Sequence, residues 1–173
     1  QYWRVPAAIK AVEEAGLRSV QPFVILDLLD LSKSSKIKED CEALFQESKT
    51  WSDLHKFAIG IHSPYSVSEE MIVWGSEYAR SRGLLLHIHL SETEWENSES
   101  IKKHGVSPTA YLDKIGVLGP EVITAPSLWR SDSDIEILAN NGVTVVHNIN
   151  SNLKIASGFK LRYNEMRDAG INL

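Results

Sequence analysis

Only one cysteine occurs in the 173 residues of this chain. An internal disulfide is therefore excluded, and the usage fits a reducing, cytoplasmic compartment. Cys41 lies among Ile37, Leu44 and Phe45 at helical spacing, which makes it a core residue and not a nucleophile. No apolar run approaches the ~20 residues of a membrane span. No secretory apolar segment follows Gln1-Tyr2-Trp3-Arg4. Blocks of like charge are also missing. Lys and Arg total 18 against 23 Asp and Glu, a net charge of -5, which argues against nucleic acid or an anionic membrane as partner. A glycine-rich phosphate loop is absent as well. What remains is ordinary globular composition, 43% hydrophobic and 24% charged, long enough to bury a core as one domain over 1–173.

Strand-like and helix-like segments alternate along the chain. A helix over Val5–Ala15 stops at Gly16, and an apolar strand follows from Val20 to about Asp27. Ser34 and Ser35 are placed to cap a second helix with the stripe Ile37, Cys41, Leu44 and Phe45. Phe57–Ile61 reads as a strand ending at His62, and Ser66 to Glu70 as the start of a helix that carries Met71, Ile72, Trp74 and Tyr78. Leu84–Leu90 is a buried strand. Helices are expected from Glu94 to Gly105, from the Ser107-Pro108 start to Gly116, and from Ser131-Asp132 to Gly142. Strands are expected at Val122–Ala125 and Val143–Val146. Asn148–Gly158 reads as a polar loop, a last helix ends near Gly170, and Ile171–Leu173 starts a further strand. Strands separated by helices imply right-handed βαβ units and a parallel sheet.

The chemistry gathers at strand ends. In His87-Ile88-His89-Leu90-Ser91-Glu92, strand alternation puts His87 and His89 on one face, and Glu92 follows where the strand turns toward a Glu-rich helix. A histidine at a strand end with a carboxylate three residues on can place a metal ligand beside a proton carrier, the equipment of metal-assisted hydrolysis. Two buried histidines satisfied by hydrogen bonds are the plain alternative. His62 and His147 also stand where strands end, and in a (β/α) barrel those C-terminal ends form the active-site mouth. A complete (β/α)8 barrel takes about 250 residues. The chain opens inside a helix and stops at a strand onset, so an incomplete barrel is expected, with an open doubly wound sheet as the alternative.

Three segments carry a resemblance. His62 to Glu70, then His87 to Glu94, then His147-Asn148 with Ser151 to Gly158, resemble in order and spacing the amidohydrolase superfamily. The nearest branch is that of the methylthioadenosine/S-adenosylhomocysteine deaminases, with the triazine chlorohydrolases and guanine deaminases. The resemblance implies a (β/α)8 TIM-barrel-type metallo-dependent hydrolase fold, present here from the helix before strand three to the start of strand eight. It implies one divalent metal, zinc or iron, and a small heterocyclic amine as substrate. Residue by residue, it implies His89 as metal ligand, Glu92 as proton carrier, and His62 and Lys36 as substrate contacts. His147 and Asn148 take a structural role.

Departures accompany the resemblance. Pro126 stands where the family places a strand-six histidine, and proline can neither bind a metal nor transfer a proton. Phe23 replaces an arginine, Lys36 stands for a second, and Ile149 occupies a position where proline is common. The resemblance therefore implies a hydrolytic deaminase. The alternative is a catalytically inactive amidohydrolase-like domain that binds or scaffolds, or a degenerate remnant. Open sheet edges point to a homo-oligomer or to the missing parts of the same barrel as partners.

Overall fold

The computed structural model describes residues 4–158 and 161–173. The chain forms two compact units, residues 1–62 with 66–86 and residues 63–65 with 87–173.

In the first unit the order is α1 (Val5–Glu14), β1 (Ser19–Ile25), a 3-10 turn (Leu31–Lys33), α2 (Ser34–Ser48), β2 (His55–Ile61) and α3 (Glu69–Ser81). β1 and β2 run parallel in register from Ser19 opposite His55 to Ile25 opposite Ile61. Parallel neighbours need a long crossover, and α2 supplies it. Ile25, Ile59, Ile61, Met71 and Ile72 are fully buried between strands and helices. Phe45 meets Phe57 edge-on at 5.5 Å and Tyr78 at 6.0 Å. Cys41 is fully buried, and burial pushes its thiol up to about 12, so it is an inert core group as expected.

The start of α2 differs from expectation. Neither Ser34 nor Ser35 caps it. The 3-10 turn runs straight into the helix, and the Ser34 N–H already donates to the Leu31 carbonyl. The capping side chain lies earlier, at Asp30, which accepts the Ser32 N–H. Ser68 likewise precedes α3 without capping it. Its hydroxyl and N–H both go to the buried Asp27 carboxylate.

The second unit takes in most of β3 (Leu86–Leu90) and continues through α4 (Glu94–His104), α5 (Pro108–Lys114), β4 (Val122–Pro126), α6 (Asp132–Asn140), β5 (Thr144–Val145), α7 (Ile149–Lys154) and α8 (Tyr163–Asp168). The strands lie in the order β3-β4-β5, with β4 parallel to β5. Asn172 adds a parallel bridge to Thr144, so the expected strand onset at the end of the chain is present. Leu90, Leu112, Val122, Leu138 and Met166 form the core. Thr93, Ser107 and Ser131 cap α4, α5 and α6, the last through a reciprocal capping box with Asp134.

Part of the expected loop Asn148–Gly158 is helical. α7 makes a turn and a half, with the Asn152 N–H donating to the Asn148 carbonyl at 2.9 Å. Asn and Ser favour local side-chain bonds over helix, so its composition concealed it. Among the described residues no helix is long and apolar enough to cross a membrane.

Candidate active site

β3 positions the histidines. Leu86, Ile88 and Leu90 are buried and alternate with half-buried His87 and His89, the period of two that puts both imidazoles on one face. His89 stands one residue before the strand's end. Its Nδ1 lies 3.2 Å from the Ala125 carbonyl oxygen, which can only accept. Nδ1 is therefore the donor, so in the neutral tautomer the lone pair is on Nε2, the arrangement typical of a metal-binding imidazole.

His87 points the same way but is in a different state. Its Nε2 is buried with no hydrogen-bond partner among the described residues, and burial lowers its pKa from 6.5, so the ring is neutral at pH 7. The unfolded chain takes up that proton first as pH falls. His87 thus contributes stability that is fully present above about pH 6.5 and lost as pH drops toward its folded value. His87→Leu is expected to narrow the gap between urea midpoints at pH 7.5 and pH 5.0; an unchanged gap would count against the assignment.

Glu92 lies past the strand end, half-buried, with Oε1 accepting from Asn152 Nδ2 at 3.3 Å. Asn152 is fully buried and also donates to Ser157 Oγ at 3.0 Å. The Ser157 carbonyl in turn accepts the Trp129 indole N–H at 3.1 Å. Two of the sequence segments, His87 to Glu94 and Ser151 to Gly158, therefore meet at the Glu92 carboxylate. Asn152 had no assigned role in the sequence. Its only signal was membership in the second segment.

His147 lies beyond β5, half-buried, with Nε2 buried and without a hydrogen-bond partner among the described residues. Pro126 is buried and ends β4. The other two expected site residues belong to the first unit. His62 follows β2, donates its N–H to the Ile25 carbonyl at 3.1 Å, and has Nδ1 2.6 Å from Ser66 Oγ. Lys36 is on the exposed side of α2, its ammonium 2.6 Å from Asp40 and 4.0 Å from Glu39. Among the described residues, no cluster of three or more His, Cys, Asp or Glu side chains is placed to hold a metal. His89 has the right tautomer for one ligand, but zinc sites normally use three or four.

Helices joined to parallel strands, with an imidazole and a carboxylate at the C-terminal end of β3, are the arrangement found in a segment of a (β/α)8 barrel. Residues 2–173 match the Amidohydrolase family. A 5'-deoxyadenosine deaminase of Methanothermobacter thermautotrophicus is 40% identical over 158 residues, covering 91% of this chain and 37% of that protein. A 5-methylthioadenosine/S-adenosylhomocysteine deaminase of Thermococcus sibiricus is 39% identical over 174 residues, covering 99% of this chain and 41% of that protein. A crystal structure of an adenosine deaminase from Xanthomonas campestris with bound zinc superimposes with a TM-score of 0.89 at 25% identity, covering 99% of this chain and 39% of the other. The chain belongs to the amidohydrolase family and has its TIM-barrel-type fold as an incomplete barrel. It spans about two fifths of the length of the curated relatives it matches.

Proposed function

We propose that the protein carrying this chain is a metal-dependent hydrolytic deaminase of a purine-like heterocyclic amine, with residues 1–173 acting as one partial barrel domain. The carrying observation is the Glu92 carboxylate, held by buried Asn152 just beyond the strand end that presents His89. Hydrolytic deamination adds the oxygen of water to a ring carbon and breaks the bond to the amino nitrogen, releasing ammonia. Protons must leave the water and reach the ring nitrogen and the departing amine. Glu92 is the group proposed to carry them, which requires a carboxylate within about 3 Å of both partners. Asn152 fixes one carboxylate oxygen and leaves the other to exchange protons. His62, set by Ser66, orients the substrate. Lys36 remains in the proposal as a peripheral contact that would first have to leave Asp40.

The deaminase names of the relatives and the zinc in the Xanthomonas structure support this reading. His89 would supply one bond to zinc or iron, and further ligands would come from outside the cluster available here. A cytoplasmic location agrees with the single cysteine. The test is metal content of the purified protein by elemental mass spectrometry, alongside ammonia release from adenine nucleosides. Near one equivalent of metal, lost in His89→Ala together with turnover, is expected. Pro126 and the incomplete ligand set favour a second reading, an inactive binding domain. Absence of metal in both proteins would favour that one.

A further inference from the structure

The turn that carries Glu92 is gripped from within by a buried carboxylate. Glu96, one turn along α4, is only 2% exposed. Its Oε1 accepts the Ser91 N–H at 2.8 Å and its Oε2 accepts the Glu92 N–H at 2.8 Å. Thr93 is the N-cap of α4 and already accepts the Glu96 N–H at 3.1 Å. A glutamate three residues after the cap ordinarily returns to the cap's own N–H. Here it reaches past the cap to the two residues before it.

The rest of the turn is held just as closely. Ser91 is fully buried in a left-handed conformation, φ +50, which a non-glycine residue keeps only where its surroundings impose it. The Ser91 carbonyl accepts from the N–H groups of Leu128 and Trp129 at 3.1 and 3.0 Å. Before it, the Leu90 carbonyl accepts from Arg130 at 3.1 Å and from the Ser127 N–H at 3.2 Å. Burial raises the Glu96 carboxyl above its ordinary range, and the two N–H groups and Arg130 only partly oppose this. A charge so placed is costly, and a cap alone does not need it.

We propose that Glu96 is a positioning residue: by fixing the Ser91 and Glu92 backbone it aims the Glu92 carboxylate at Asn152 and so sets where Glu92 takes and delivers protons. The second half rests on the reading of Glu92 as proton carrier. The test is NMR on the isotope-labelled 173-residue chain. The wild type is expected to show cross-hydrogen-bond couplings from Glu96 Cδ to the Ser91 and Glu92 amide nitrogens. Glu96→Gln keeps a single acceptor oxygen, so one of these amides should exchange at least about tenfold faster, and the Asn152 side-chain NH2 resonances should move although position 96 does not bond Asn152. Leu138→Ala, a core truncation in the same unit, should lower stability and leave those resonances in place. Missing couplings in the wild type would overturn the proposal even if the variant did not fold, and so would a folded Glu96→Gln with unmoved Asn152 resonances. In the active protein Glu96→Gln is expected to lower kcat with little change in KM. If Glu92→Gln retains full turnover while the couplings and the Asn152 response are present, the proton-carrier reading fails and the positioning of the turn stands.

Discussion

Arg130→Ala is expected to destabilise the second unit by about 3–5 kcal/mol, the range for removing one partner from a buried charged network. Arg130 is 8% exposed, and burial brings its pKa down only to about 10, so it is charged at neutral pH. Nη1 donates to Thr109 Oγ1 at 2.7 Å, and Nη2 donates to the Leu90 carbonyl at 3.1 Å and to Ser127 Oγ at 3.0 Å. Truncation strips a charged donor from three buried acceptors; the Leu90 carbonyl keeps the Ser127 N–H and Ser127 Oγ keeps Thr124 Oγ1, while a buried polar group that loses its partner costs about 1–3 kcal/mol. It also removes the positive charge facing the buried Asp134 and Glu96 carboxylates. Arg130→Lys should recover only part of the loss, because an ammonium cannot reproduce the planar fork. The measurement is the urea midpoint of each variant, with the slope checked for constancy. A loss of about 0.5 kcal/mol or less, the range of an ordinary surface substitution, would show that Arg130 does not tie the unit together.

Glu92→Gln is expected to behave in the opposite way, leaving stability almost untouched and removing turnover. The amide oxygen of glutamine can still accept from Asn152, and the side chain is only half-buried, so a stability change within about 0.5 kcal/mol is expected. What glutamine cannot do is take up a proton. Loss of a positioned proton carrier lowers rate by about 10²–10⁴, or about 3–5 kcal/mol in the barrier. Steady-state deamination and thermal unfolding of the same preparation test both halves. An unchanged kcat would remove Glu92 from the reaction.

Much of this was legible in the residue order. The β3 alternation, the Ser107-Pro108 start of α5 and the Ser131 start of α6 are local signals, and local chemistry decides them. The His89–Glu92 turn was legible through its resemblance to a family. Other features depend on partners distant in sequence. Glu96 lies within an expected charged helix and Arg130 between an expected strand and an expected helix, and only the fold shows both to be buried. Asn152 gains its role from Glu92, sixty residues away. Ser34 looked like a cap because the 3-10 turn before it has no periodic signature. Lys36, expected at the substrate, stands paired with Asp40 on an exposed helix face.

Cys41 gives the chain a built-in clock. It is the sole thiol, fully buried, with its pKa near 12, so a thiol reagent in neutral buffer meets almost no thiolate until the first unit opens. The labelling rate under native conditions therefore reports each opening that exposes Cys41. The second unit contains no cysteine and so adds no reactive site of its own.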